Sequence, residues 1–275
     1  MNDAAPDWPP PVIDSAVPST ARVYDALLGG RDNFPVDREA AAIFEALVPQ
    51  AREVFRLNRS ALVRGIRYMV GQGGIDQIID VGCGLPAELN THEAAQEINP
   101  ETRVVYIDND PMVLSHGRAL LADDRTTTVV TADLREPSGI LANPDVRANL
   151  DFDRPVGLML VGMIMQIADD ESPDEIIAHL MEPLASGSHL FITAWPDTGE
   201  PIQRALSQAC LETLGNGWCR PVERLERHFQ GMPMIAPGLE YVSRWFPAEP
   251  DREVPAAGDL EPFQRTVMAG IAVKP

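Results

Sequence analysis

Lysine is almost missing from this chain. Its 22 basic residues include a single lysine, Lys274, at the C-terminal edge. That excludes chemistry built on an internal lysine: a phosphate-loop lysine, a Schiff base, or a Tyr-x-x-x-Lys pair. Cysteine is scarce too. Three cysteines with no Cys-x-x-Cys pair give neither a disulfide framework nor a zinc site. The five histidines lack metal-ligand spacing. His92-Glu93-Ala94-Ala95-Gln96 comes near the zinc motif His-Glu-x-x-His, but Gln96 stands where the second ligand belongs, so no metal is expected. No run approaches the about 20 apolar residues that span a bilayer. The start, Met1-Asn2-Asp3-Ala4-Ala5-Pro6, has neither a basic nor an apolar leader segment. A cytoplasmic protein is therefore expected. Positive charge is also in short supply, giving a net charge of −19, which disfavours nucleic acid and anionic membranes as partners. Five arginines lie between Arg52 and Arg67, and their helical spacing reads as a solvated helix face.

What is present is a 45% apolar composition over 275 residues, enough for one large α/β domain. Residues 1–19 carry Pro6, Pro9, Pro10, Pro11 and Pro18 and read as an extended arm. Residues 20–74 read as a helical cap, with helices over 20–28, from Asp37 to near Val48, and over 51–70. Gly29-Gly30 stops the first of these helices. From Ile75 the pattern alternates. Strands are expected over 77–81, 103–107, 126–131, 155–162 and 189–194. Helices are expected from Pro86 or Ala87 to Ile98, then over 111–121 and 173–184. Such alternation builds a parallel sheet with helices on both faces. Helices over 201–214 and 221–229 follow, then strands over 240–245 and 266–273. The last two strands have no long helix between them and are expected to pair antiparallel or through a loop. Residues 75–275 form the sheet domain.

The stretch Ile78-Ile79-Asp80-Val81-Gly82-Cys83-Gly84-Leu85-Pro86 reads as buried strand, glycine turn and helix start, a nucleotide-cradling arrangement. Gly82 and Gly84 allow positive φ and close approach of a ligand to backbone. Asp108 ends the second strand, where a carboxylate can accept both ribose hydroxyls of an adenosine. Asp133 ends the third, beside an adenine amino group. Each acid has a plainer role available: Asp80 as turn former, Asp108 as helix cap, Asp133 as surface charge. Three acids ending three successive strands on one sheet edge favour a common site. Pro86 removes an N–H that a pyrophosphate would use. A sulfonium ligand has no such need and gains from nearby carboxylates, which favours a methyl donor over NAD.

Asp-Val-Gly-Cys-Gly, Ile-Asp-Asn-Asp and Ala-Asp-Leu, in this order, resemble the motifs of class I S-adenosylmethionine-dependent methyltransferases. Tyr24–Phe34, Gly84-Leu85-Pro86, Asn90-Thr91-His92-Glu93 and Val242-Ser243-Arg244-Trp245 are similar to one actinobacterial subfamily, formerly a domain of unknown function, the S-adenosyl methyltransferase family. The resemblance covers nearly the whole chain beyond the proline arm. It implies a Rossmann-like α/β sheet of seven strands with the last antiparallel, S-adenosyl-L-methionine as cofactor and S-adenosyl-L-homocysteine as product. It also implies that Asp80, Gly82 and Gly84 hold the methionine part, Asp108 the ribose, and Asn109, Asp133 and Leu134 the adenine. The sequence departs from the general class at Pro86, where a third glycine is common.

Gly29, Gly30 and Asn33 belong to a turn that is either a plain helix stop or the hinge of a lid over the methionine end. Candidate general bases are Tyr24, Asp25 and Asp32 in the cap, and His92, for which a backbone hydrogen bond is the preferred role. The fourth strand ends in Gly162-Met163-Ile164-Met165-Gln166, where nothing is expected to hold a base amino group as nucleic-acid methyltransferases do. Together with the acidic charge this points to a small-molecule acceptor. The leading expectation is an enzyme that methylates a small molecule; the alternatives are a non-catalytic S-adenosylmethionine or nucleotide sensor and a Rossmann-type oxidoreductase.

Overall fold

The computed structural model describes residues 13–87, 89–120, 125–249 and 251–275. The proline arm falls largely outside them. Three helices come first: α1 (Thr20–Leu28), α2 (Pro35–Leu47) and α3 (Ala51–Gly71). Ser19 caps α1 by accepting the Arg22 amide, and Pro35 pre-sets φ at the first turn of α2. Then β1 (Gln77–Val81), α4 (Thr91–Gln96), β2 (Arg103–Asp108), α5 (Pro111–Leu120) and β3 (Thr127–Thr131) alternate. Two short helices, α6 (Pro137–Ala142) and α7 (Pro144–Asn149), lead to β4 (Gly157–Val161), α8 (Pro173–Met181) and β5 (His189–Ala194). The chain ends with α9 (Pro201–Leu214), α10 (Val222–Arg227), β6 (Glu240–Tyr241) and β7 (Met268–Val273).

The seven strands form one sheet in the order β3-β2-β1-β4-β5-β7-β6. The first five are parallel, and β7 runs antiparallel to both β5 and β6. The expected α/β architecture is therefore present, with its antiparallel ending. Because successive strand residues point to opposite faces, Ile78, Val104, Met159, Phe191 and Ile271 pack with the α1–α3 side. Ile79, Val105, Leu158, Leu190 and Ala272 pack with α6–α8. Close packing of α3 on β5 needs Gly65, since a Cβ there would lie 2.3 Å from the Phe191 ring. That ring also stacks on the buried Trp245, with centroids 5.4 Å apart.

Four local expectations are corrected. The helix after the glycine turn does not begin at Pro86; it starts at Thr91, because the Glu93 carboxylate accepts the Asn90 amide at 2.7 Å and Asn90 Oδ1 takes the Ala87 amide. The strand over 240–245 is two residues long, because turn bonds from Arg244 N to Tyr241 O and from Trp245 N to Val242 O curl the chain inward. The helix expected to reach Leu184 stops at Met181. There Lys274 Nζ donates to the carbonyls of Met181, Glu182 and Leu184, so the lone lysine serves as a helix C-cap. Helices α6 and α7 were not expected; each begins with a proline, and the Asn143 side chain caps the second.

Candidate active site

The strand ends β1, β2, β3 and β4 open onto one cavity of about 1150 Å3, roofed by α1 and flanked by α3. Its floor is the turn after β1. Gly82 and Gly84 have φ of 71° and 69°, values that L side chains rarely adopt. A Cβ on Gly82 would also lie 1.9 Å from Met163 Sδ, so any larger residue would have to displace that methionine as well as strain the turn. The Gly82 amide donates to Ile107 O at 2.6 Å, fixing the turn to the end of β2.

Asp108 links the same two elements through its side chain. Its Oδ2 accepts the Gly84 amide at 2.9 Å, and its Oδ1 accepts the Asp110 amide at 2.9 Å. Oδ1 keeps a further lone pair for a ligand hydroxyl, and Oδ2 has one that only the weak Cys83 thiol donor, 4.0 Å away, contests. Burial pushes the Asp108 carboxyl above its ordinary value, against these amide bonds. Asp80, at the end of β1, is 2% exposed and accepts the Thr91 hydroxyl at 2.6 Å. Burial raises it to about 6; the Thr91 bond and the Arg59 guanidinium oppose the rise, and Asp108 adds to it.

Asp133 differs from both. Burial pulls it upward, but the Arg135 amide, the Asn109 side chain and the Arg135 guanidinium hold it below its ordinary value. Asn109 Nδ2 donates to Asp133 Oδ2 at 2.9 Å, so the tips of β2 and β3 are joined. Leu134 follows, buried, and lines the cavity beside them.

The roof is tied down at both ends. Ser19 Oγ donates to Asp110 Oδ2 at 2.6 Å. The buried pair Arg22–Asp37, at 2.8 Å, locks α1 to α2. Past α1, Gly29 takes a left-handed C-cap, and Asp25 Oδ2 gathers the turn by accepting the Asp32 amide and Asn33 Nδ2 at 2.9 and 2.7 Å. Tyr24 OH donates to Phe55 O and accepts from Asn58 Nδ2; burial raises its phenol. Asn58 Oδ1 in turn accepts the Thr193 hydroxyl at 2.6 Å, and Thr193 Oγ1 accepts the Gly162 amide at 2.8 Å. One polar chain thus runs from α1 through α3 and β5 to the end of β4.

Of the residues singled out from sequence, Tyr24, Asp25, Gly29, Gly30, Asp80, Gly82, Gly84, Asp108, Asn109, Asp133 and Leu134 line this cavity. Asn33 does not line it but supports Asp25. Asp32 lies 3.6 Å from His116 Nε2. His92 sits behind the glycine turn in a side recess; its Nδ1 is 2.8 Å from Tyr106 OH, which also accepts the His92 amide. Its partner is thus a side-chain hydroxyl. The expectation of a solvated arginine face is corrected in part: Arg56 and Arg59 line the cavity, and Arg59 also donates to Leu89 O. Sequence reasoning also missed Gln166, which lines the cavity from the turn after β4.

The arrangement fits a cationic adenosine ligand better than a dinucleotide. Six aspartates line the cavity against four arginines, and Asp80, Asp108 and Asp133 stand at its strand ends. The glycine turn is followed by a loop, so no helix N-terminus stands behind it to hold a pyrophosphate. Strand order, antiparallel β7 and the acid-ringed glycine turn together define a Rossmann-like class I methyltransferase. A family model described as S-adenosyl methyltransferase matches residues 6–275, and the chain belongs to that family. It is an S-adenosylmethionine-dependent methyltransferase.

A structure of a protein from Thermobifida fusca YX, with a provisional methyltransferase assignment, is 47% identical, with a TM-score of 0.91 over 98% of this chain and 99% of that one. A DUF574 family protein from Streptomyces avermitilis MA-4680 is 32% identical, with a TM-score of 0.87 over 96% and 100%. Human N-acetylserotonin methyltransferase, solved with SAM, shares the fold at 13% identity and a TM-score of 0.51, over 91% of this chain and 62% of that one. Among curated proteins none matches the chain.

Proposed function

We propose that the chain methylates a small molecule enclosed beneath α1, with the cofactor lying across the ends of β1, β2 and β3. In this reading Asp108 accepts the two ribose hydroxyls. Asn109 and Leu134 flank the adenine ring, and Asp133 faces its amino group. Gly82 and Gly84 let the methionine part approach backbone, with Asp80 offering a carboxylate to the positive charges and Arg59 a guanidinium to the carboxylate. When bound, S-adenosylmethionine supplies an electrophilic methyl carbon, to which the acceptor's lone pair bonds as the carbon–sulfur bond breaks with its pair on sulfur. The chain's own task is to hold the acceptor in line and exclude water. Gly29, Gly30 and Asn33 belong to the lid over the methionine end. Tyr24, with its raised phenol, and Asp25, engaged by two donors, act here as positioning groups.

The observation that carries the reading is the convergence of Asp80, Asp108 and Asp133 on one cavity with the glycine turn. The acidic surface, with a net charge of −19, supports a small acceptor over a polyanion. Free thiols at Cys83, Cys210 and Cys219 fit a reducing cytoplasm. The sensor alternative has no observation in its favour. Calorimetry with S-adenosylmethionine, S-adenosylhomocysteine and NAD tests the site: the first two should bind and NAD should not, and the reverse order overturns the assignment. Methyl-labelled cofactor incubated with fractionated cell extract tests the acceptor class. Label is expected in the metabolite fraction; label confined to nucleic acid or protein overturns it.

A further inference from the structure

The cavity is larger than one cofactor requires. Its volume of about 1150 Å3 exceeds the roughly 300–1,000 Å3 of pockets that hold one drug-sized ligand. The part away from the strand-end acids has its own chemistry. Met163 Sδ packs on Gly82 on one side and lies 3.5 Å from Gln166 Nε2 on the other, so Met163 separates the glycine turn from Gln166. Gln166 shares a wall with Thr20 and Tyr24 of α1, Asn58 of α3, Leu214 at the end of α9 and Asn216 just past it. These groups are neutral, and burial keeps the Tyr24 phenol protonated.

The orientation of the Gln166 amide is fixed. Its Nε2 donates to Gly162 O at 2.9 Å, so Oε1 is the carbonyl oxygen. Among the described residues Oε1 has no hydrogen-bond donor. Asn216, whose Nδ2 donates to Thr20 Oγ1 at 3.3 Å, offers a second such carbonyl. The rest of the polar chain is internally satisfied: Gly162 N, Thr193, Asn58, Tyr24 and Phe55 O use one another. It therefore braces Gln166 and leaves a ligand-facing acceptor at its end. A recess of about 40 Å3 adjoins this wall beneath α1, lined by Val23, Phe55, Trp195 and Cys210.

We propose that this end of the cavity is the acceptor subsite, and that it selects an uncharged small molecule presenting an N–H or O–H to Gln166 Oε1 and an apolar flank to the recess. The inference rests on the methyltransferase reading above. Arg135, whose Nη2 donates to Gln166 O at 3.3 Å, is already paired with Asp133 and Glu171, so a charged acceptor would lose its hydration here without gaining a free counter-ion. A bound ligand that covers this half-buried carbonyl and lacks the donor would strip it of water and leave it unpaired.

The test uses the full chain and four probes of one shape: benzyl alcohol, benzyl methyl ether, benzylammonium and benzoate. Affinities are read by ligand-observed NMR in the presence of S-adenosylhomocysteine. Benzyl alcohol should bind about fivefold tighter than the ether, the worth of one ordinary hydrogen bond, and both ions should bind more weakly than the alcohol. Gln166→Leu should remove the alcohol–ether difference while leaving S-adenosylhomocysteine affinity, read by calorimetry, unchanged. Gln166→Glu should shift the preference to benzylammonium, a change that a purely structural role would not produce. Equal binding of alcohol and ether by the native chain, retention of the preference in Gln166→Leu, or ions binding as well as the alcohol overturns the proposal. If S-adenosylhomocysteine fails to bind while the donor preference appears on the free protein, the cofactor reading falls and the subsite stands.

Discussion

The carboxylate of Asp108 accepts the amide of Gly84 at 2.9 Å. This one bond joins the tip of β2 to the turn after β1, so the residue read as a ribose ligand also shapes the glycine loop. Asp108→Ala should therefore act twice, removing two ribose hydrogen bonds and freeing the Gly84 and Asp110 amides. Cofactor affinity is expected to fall by about 2 kcal/mol or more, roughly thirtyfold. Asp108→Asn, which keeps one carbonyl acceptor, should lose less. Calorimetric binding unchanged by Asp108→Ala would remove the ribose assignment.

The placement of Asp80, Asp108 and Asp133 on one sheet edge was legible from sequence because each stands at or just past the end of a strand with a clear β pattern. Arg59 and Gln166 were not. Helical periodicity separates core from non-core, but a cavity wall and a solvated face both take polar residues, so Arg59 looked like its exposed neighbours. The direction of Gln166 depends on a 3-10 turn over Ile164–Gln166 and a bond back to Gly162 O, neither of which leaves a periodic signal. Pro86 looked like a helix start because proline favours that position. The stronger local signal was Asn90 with Glu93 three residues on, whose carboxylate takes the Asn90 amide and moves the start of α4 past the proline.

The pH dependence of cofactor binding should report Asp80. Burial raises its carboxyl to about 6, so it is ionised above that pH and neutral below it. Affinity for the cationic cofactor is expected to weaken as pH falls through 6, by at most about tenfold per unit for one coupled proton. The stability of the free protein should carry the opposite sign. A carboxyl raised on folding favours the native state below its unfolded value near 3.8, and that gain is lost as pH rises through 6. Asp80→Asn should flatten both profiles. A binding profile that stays flat from pH 5 to 8 in the native chain would dissociate Asp80 from the ligand's charge.

Arg22 and Asp37 are respectively 3% and 0% exposed. Asp37 also accepts the amides of Ser19 and Phe34, so it closes the base of the α1 roof. Asp37→Ala would leave a buried guanidinium with no counter-charge, at a cost of about 3–5 kcal/mol. The melting temperature should fall on the order of 10 °C. Replacing both members with apolar residues, Arg22→Met with Asp37→Leu, should recover part of this, since no unpaired charge remains. A melting temperature within a degree or two of the native value for Asp37→Ala would show that the pair contributes little to the roof.

The turn over residues 29–33 is held from α1 by one carboxylate: Asp25 Oδ2 takes the Asp32 amide and the Asn33 side chain. Gly30 packs so closely that a Cβ would lie 1.8 Å from Asp25 Oδ1. Gly30→Ala should therefore displace Asp25 and loosen the turn without touching the strand-end acids. If this turn closes over the methionine end, cofactor should slow amide exchange across residues 21–35 in the native chain and do so much less in Gly30→Ala. The expected loss of affinity in Gly30→Ala is about tenfold, near 1.4 kcal/mol, appearing mainly as faster cofactor release because the floor of the site is intact. Hydrogen exchange across residues 21–35 that is the same with and without S-adenosylmethionine would sink the lid assignment and leave Gly29-Gly30 as a simple helix stop.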